Sequence, residues 1–332
     1  MSFFSIFLAL VIEQVRPMSG HHFLHDSLRQ WASWVARNVD AGQKNQSWLA
    51  WAVTVSVPAL LALAVHWLLA LTLGWAFAVA WNVALLYATL GFRQFSHHFT
   101  DIRDALEDGN EPLARELLAQ WQQVDASALP RSEIVRHVIE HSVIDAHRHV
   151  FGVFFWYAVL SVVGLGPVGA VVYRVAEFTS RFWADSKAPR PDGQIFSASL
   201  ARATAQGWHA ADWLPARATA LGFAIVGSFE DAMDGWRNHS QKFPNDNDGV
   251  ILAATAGAIH IQLGGAALKH AAPLSGEWDD DLNSAEDDAG SGSTPGRVPE
   301  VGHFAQVVGL VWRTVVMWLV LVALLTLANV LG

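Results

Sequence analysis

Four apolar segments, each near the length of a bilayer crossing, constrain this 332-residue chain more than any other feature. A helix needs roughly 20 apolar residues to cross the hydrocarbon core. Lipid offers unpaired backbone groups no water, so such segments are expected to be helical. Trp48 to Leu73 is the first, and Trp75 to Phe92 follows it after Gly74. Val150 to Tyr173, interrupted by Gly164-Leu165-Gly166-Pro167, is the third, and Thr314 to Leu331 the fourth. Pro58 and Pro167 lie inside apolar runs, where each freed carbonyl needs a partner from a neighbouring helix. Two weaker segments, Ala218 to Phe229 and Val250 to Leu268, are short or carry polar residues such as His260 and Gln262. The fold class expected is all-α: a polytopic integral membrane helical bundle of four strong spans plus short re-entrant or core helices.

Composition points the same way. Hydrophobic residues make up 52% of the chain and charged residues 15%, against about 25% charged in soluble domains. Sixteen Trp and eighteen Phe against three Tyr suit a membrane interface. The absence of cysteine excludes disulfides, thiolate metal sites and Cys nucleophiles. A net charge of −9 with no Lys/Arg-dense run argues against nucleic acid as a partner. Met1 to Val11 is apolar without a basic leader, and Glu13 and Arg16 follow it, so a retained membrane-associated helix is expected.

The chain reads as a single domain, residues 1–332. An N-terminal amphipathic region (1–47, with His21, His22 and His25) precedes the helical hairpin 48–92 and soluble helices over 93–149. After the span 150–173 come a motif region (174–273), an acidic flexible loop (274–302, with Asp279 to Asp288) and the last span, 314–331. Within the soluble part, Asn110 is placed to cap a helix whose first turn holds Glu111 and Pro112. Arginines near 1–47 and 93–149 favour that side as cytoplasmic if all four segments cross.

Ionisable residues close to apolar helices are the functional candidates, because charge in such places needs a reason. Asp212 and Arg217 flank Pro215 at what reads as a helix start, where Asp caps free amides and Arg binds an anion; a plain cap with an interfacial Arg reads equally well. Glu140, His141, Asp145, His147 and His149 precede the third span, a cluster suited to proton movement or a cation but lacking diagnostic metal spacing. Asp246 and Asp248 beside Asn245 and Asn247 crowd the start of the helix that opens at Gly249; they are the metal candidates, and simple capping is the commoner explanation. No Walker loop, Rossmann fingerprint or Ser-His-Asp motif occurs.

These residues also carry a resemblance. Asn238-His239-Ser240, then Ala256-Gly257-Ala258-Ile259-His260-Ile261-Gln262-Leu263-Gly264-Gly265, and Leu214-Pro215-Ala216-Arg217 resemble motifs of the CobD/CbiB family of cobalamin-biosynthesis membrane proteins. The resemblance runs from the Trp48 hairpin to the last span. It implies a multi-pass protein of the cell inner (cytoplasmic) membrane, with the lipid bilayer and a small-molecule ligand as partners and oligomerisation left open. By that resemblance the ligand-binding residues are Asp212, Arg217, His209, Asn238, His239, Asn247, Gln262, Gly264 and Gly265, and the catalytic candidates are Glu140, Asp145 and Glu177. Trp208 and His209 stand where the family pattern has paired Asp, Ser180 ends an element that closes with Asp, and Leu252 replaces a Glu. In these places the chain resembles the AmpE-like branch, which shares Asp212-Trp213, Pro215 and Arg217. The expectation is therefore a non-synthase sensory, regulatory or ligand-binding member with no certain cofactor. The alternative is adenosylcobinamide-phosphate synthase, which joins an aminopropanol or its phosphate to a corrinoid carboxylate as an ATP-dependent amide synthase using Mg²⁺ and ATP.

Overall fold

A computed structural model describes residues 2–15, 21–90, 92–184, 196–266 and 292–331. Among them every regular element is helical, and pairing between extended segments is limited to two isolated bridges, Ile261 with Arg297 and Gly264 with Ser293. Thirteen α-helices are described here: α1 Ser2–Val15, α2 His21–Val39, α3 Lys44–Thr72, α4 Trp75–Thr89, α5 Phe92–Glu107, α6 Glu111–Gln122, α7 Arg131–Ala146, α8 Gly152–Val162, α9 Gly166–Ala184, α10 Ala198–Val226, α11 Phe229–His239, α12 Asp246–Ile259 and α13 His303–Leu331. A π turn, His147–Phe151, follows α7.

Among the described residues two helices rather than four are long and apolar enough to cross a membrane: α3, and α13 over His303–Ala328. Their most apolar windows are only 28% and 33% buried. Leu60, Leu61, Leu68 and Leu71 of α3 and Val320, Leu321, Leu324 and Leu325 of α13 stand exposed. The expected second span is the 15-residue α4, about 22 Å long at 1.5 Å per residue. The expected third span is two helices. Leu165 N–H donates to the Leu160 carbonyl at 2.8 Å and Gly164 N–H to that of Ser161 at 3.2 Å, with Gly164 at φ +78°, so α8 closes in a Schellman turn. Pro167 then occupies the first turn of α9, where its missing N–H leaves no interior bond unmade. The side assignment that rested on four crossings loses its basis.

The chain clusters into two compact units: Met1–Gly91, Arg148–Pro215 and Leu319–Gly332 form the first, Phe92–His147 and Ala216–Trp318 the second. In the first unit α3 packs on α2, α4 and α9, and α8 packs on α9. The α8–α9 contact is tight, since a Cβ on Gly169 would lie 2.2 Å from the Trp156 carbonyl oxygen. Ala32, Val35, Ala50, Phe178, Trp183 and Leu200 fill a core there.

Prolines in this unit are satisfied by tryptophans. Pro58 lies inside α3 and has no N–H for the Thr54 carbonyl; the Trp31 indole of α2 donates to that oxygen at 3.2 Å. Pro215 lies inside α10, so Asp212 and Pro215 do not mark a helix start as the spacing suggested. The carbonyl it frees, that of Ala211, accepts the Trp156 indole N–H of α8 at 2.8 Å.

In the second unit α11 and α12 pack closely, with α7 against α12 and also against α5 and α6. Asn110 caps α6, its side chain accepting from Leu113 N–H at 3.3 Å, as the sequence predicts. Gly249, Ala253 and Gly257 form a small-residue stripe along α12; a Cβ on Gly257 would lie 2.1 Å from the Asp231 carbonyl oxygen of α11. The helix ends at Ile259 with His260 left-handed at φ +57°, short of the apolar segment's expected end at Leu268.

Trp156→Phe is expected to leave the Ala211 carbonyl without its indole donor and cost about 1–3 kcal/mol. Pro215→Ala, which restores an amide at that turn, should recover most of the loss in the double variant. Thermal unfolding in detergent followed by circular dichroism reads both, and a fully additive double variant would contradict the pairing.

Candidate functional site

The polar groups of α7 gather around one buried guanidinium. Arg136 is 3% exposed. Its Nε donates to Glu133 at 2.9 Å, its Nη1 to both oxygens of Glu140 at 3.1 and 3.2 Å, and its Nη2 to the Ala266 carbonyl at 2.9 Å. Glu140 in turn accepts the Gly264 N–H at 2.7 Å. Thus α7 grips the chain just past α12 through one donor and one acceptor. Gly264 and Gly265, at φ +79° and +116°, make that grip possible, because an L side chain is strained in either conformation.

The gripped segment pairs with residues 292–297. Thr294 N–H donates to the Leu263 carbonyl at 2.7 Å, Gln262 N–H to that of Arg297 at 2.8 Å, and Gln262 Nε2 to Ser293 Oγ at 2.6 Å. Lys242 donates to the Ser293 carbonyl at 2.7 Å. Of the expected flexible loop, residues 292–302 are therefore bonded in place; residues 274–291, which include Asp279 to Asp288, lie outside the described residues.

Burial raises the pKa of Glu140, although Arg136 and the Gly264 amide pull against it. Burial, then the adjacent Arg136 charge, lowers His137 to about 3. The geometry agrees: Arg136 Nη2 lies 2.9 Å from His137 Nε2, a contact in which a neutral imidazole nitrogen accepts.

The other predicted residues divide between the units. In the second, Arg217 donates to Asn247 at 3.0 Å and to Asp246 at 3.1 Å. Asn245, not Asn247 or Asp248, caps α12. Asp145 faces His141 at 3.5 Å, and His147 pairs with Thr219 at 2.9 Å. Asn238 donates to Asp234 at 2.8 Å within α11. In the first unit Asp212 is buried at 1% exposure and accepts the Tyr173 hydroxyl at 2.7 Å. His209, expected in a binding pocket, is exposed on α10. Glu177 is bound by Arg174 at 3.2 Å and Arg181 at 2.6 Å. Burial would raise its pKa, but those two arginines, with His149 and Arg148, hold it down at about 2. A carboxylate so stabilised is a weak base, which suits charge balance better than proton transfer.

Asp246 and Asp248 lie in the first turn of α12. Asp246 pairs with Arg217 at 3.1 Å, and among the described residues there is no group of three or more His, Asp or Glu of metal-site geometry. Arg136 escaped sequence reading. The signal available was Glu133 and Glu140 at i−3 and i+4 around it, a spacing that brings both carboxylates onto one face.

With this geometry in place, comparison with known proteins assigns the chain. The described residues are helical and include two candidate spans, and the CobD/Cbib protein family model matches residues 8–289. The chain belongs to that family. A cobalamin biosynthesis protein CobD of Stutzerimonas stutzeri is 28% identical over 96% of this chain and 95% of its own length. Namesakes from Chromobacterium violaceum and Leptospira interrogans are 32% and 30% identical, each over 59% of this chain and 57% and 60% of their own lengths. No solved structure matches. These relatives overturn the expected non-synthase sensory role, since they carry the name of a biosynthetic protein, and they lend no support to an AmpE-like branch.

His137→Asn tests the acidic behaviour of this site. Between about 6.5 and about 3, the unfolded chain takes up a proton that folded His137 refuses, so stability falls as pH falls through that window. The variant's unfolding midpoint is expected to drop less steeply from pH 6.5 to pH 4 than the wild type's; parallel slopes would contradict the assignment.

Proposed function

We propose that the chain acts in cobalamin biosynthesis as an adenosylcobinamide-phosphate synthase, forming an amide between a corrinoid carboxylate and an aminopropanol or its phosphate. The observation that carries this reading is the end-to-end likeness to the Stutzerimonas stutzeri relative, which leaves no large part of either chain unmatched. Glu140 is the residue best suited to proton transfer in such a reaction. Burial raises its pKa above that of an ordinary carboxyl, and Arg136 and the Gly264 amide fix its direction. Arg136 is then a positioning residue. Joining a free carboxylate to an amine needs ATP as co-substrate, so that the displaced carboxylate oxygen leaves with phosphate.

The exposed apolar faces of α3 and α13 support a place in the inner membrane with both helices crossing. The remaining apolar helices, α1, α4 and α8, are shorter than a crossing; α4 packs on α3, α1 on α4 and α8 on α9, as core or re-entrant elements.

Growth of a synthase-deficient bacterium on cobyrate, with no added cobinamide, is the deciding measurement. The wild-type chain is expected to restore growth. Glu140→Gln, which keeps the shape and the amide acceptor, should lower the rate at least tenfold at unchanged membrane abundance. Failure of the wild-type chain to restore growth, with expression verified, would remove the reading.

A further inference from the structure

The peptide between Leu263 and Gly264 is held at both ends. Its amide end gives the Gly264 N–H to Glu140 at 2.7 Å. Its carbonyl end, the Leu263 oxygen, accepts the Thr294 N–H at 2.7 Å and the Thr294 hydroxyl at 3.2 Å. The hydroxyl oxygen also accepts the Leu263 N–H at 2.9 Å. A peptide unit is planar, with N–H and carbonyl on opposite sides, so whatever fixes the carbonyl also fixes the direction of the amide.

The plane needs such a hold. Gly264 stands at φ +79° and has no Cβ, so sterics alone do not keep this peptide from turning. Thr294 and Leu263 are both buried, where water supplies no substitute donor or acceptor. The segment that carries Thr294 is fixed on its other side by Lys242, which donates to the Ser293 carbonyl at 2.7 Å. A Cβ on Gly292 would lie 3.3 Å from the Lys242 side chain, so that contact is close.

Charge does not link Thr294 to Glu140. Among the described residues the ionisable groups acting on the carboxylate lie on α7 itself: Arg136 at 3.1 Å, His137 at 3.7 Å, and Glu133, which shares Arg136. Gly292, Ser293 and Thr294 carry no charge. What Thr294 does to Glu140 therefore passes through the amide.

We infer that Thr294 is a positioning residue for Glu140: its hydroxyl holds the Leu263–Gly264 peptide plane and so keeps the Gly264 amide aimed at the carboxylate. The positioning stands on the geometry alone; its use in proton transfer rests on the synthase reading above. The amide donates to the ionised carboxyl and pulls its pKa down, so loss of that bond raises it.

Infrared pH titration of the purified full chain in detergent micelles reads the Glu140 carboxyl band, assigned as the one that Glu140→Gln removes. Thr294→Val keeps the shape and deletes the hydroxyl. It is expected to move the protonation midpoint up by about one pH unit, the equivalent of one charge-assisted hydrogen bond. Thr294→Ser should return the midpoint to the wild-type value. A Val variant that titrates like the wild type, or a Ser variant that shifts as far as Val, would overturn the proposal. Amide hydrogen exchange of the wild-type chain covers a Val variant that does not fold. Gly264 is expected among the slowly exchanging amides, and exchange there at the rate of unstructured chain would overturn the proposal with no variant at all. The two readings fail separately. Growth on cobyrate with an unmoved midpoint removes the role of Thr294 and leaves the synthase; a moved midpoint without growth does the reverse.

Discussion

An indole N–H donated to a carbonyl that proline has deprived of its amide is the bond on which the first unit depends. Two long helices there contain proline, and in apolar surroundings an unpaired carbonyl costs several kcal/mol. Trp31 answers Pro58 and Trp156 answers Pro215, each from the neighbouring helix. The consequence reaches the polar residues. Because α10 continues through Pro215, Asp212 stays in helical register four residues from Trp208, and both lie on its buried face. The carboxylate meets the Tyr173 hydroxyl of α9 rather than the open amides of a helix start.

The second unit solves a different problem, that of bringing charge inside. Small residues let α11 and α12 approach until side chains would collide with backbone, which frees their outer faces for polar work. The chain leaving α12 must then turn back, and it does so with His260, Gly264 and Gly265 all at positive φ. That turn presents the Gly264 amide and the Ala266 carbonyl to α7, where Glu140 and Arg136 meet them. A buried ion pair is sound only when its spare donors and acceptors are also engaged, and here the backbone engages them.

Sequence patterns revealed local structure well and distant structure poorly. Asn110, Glu111 and Pro112 announce α6 because every partner in that cap lies within three residues. Pro215 misled, since a proline at a helix start and one inside a helix look alike until the distant donor, Trp156, is placed. The apolar run from Val150 to Tyr173 read as one span because hydropathy ignores the left-handed turn at Gly164. Arg136 was hidden for a related reason. Acids at i−3 and i+4 usually mark a solvated helix face, and only the 260–266 segment closing over it makes the pair an interior one. Acids missing from family positions, Trp208 and His209 among them, argued against a synthase role, yet a relative named for cobalamin biosynthesis is similar over 96% of this chain.

The two carboxylates singled out for catalysis show why placement rather than residue type decides a role. Glu177 is buried and Glu140 partly buried, each beside arginine. Glu177 faces Arg174 and Arg181 with His149 and Arg148 nearby, so its ionised form is favoured and its pKa stays at about 2. Glu140 has one arginine, which it shares with Glu133, and burial prevails over that attraction. A base must be able to hold the proton it takes, and a carboxylate stabilised by several cations cannot hold one near neutral pH. By that criterion the π turn that brings Arg148 and His149 toward Glu177 favours a fixed charge there, whereas Glu140, gripped between Arg136 and the Gly264 amide, has its pKa raised by burial.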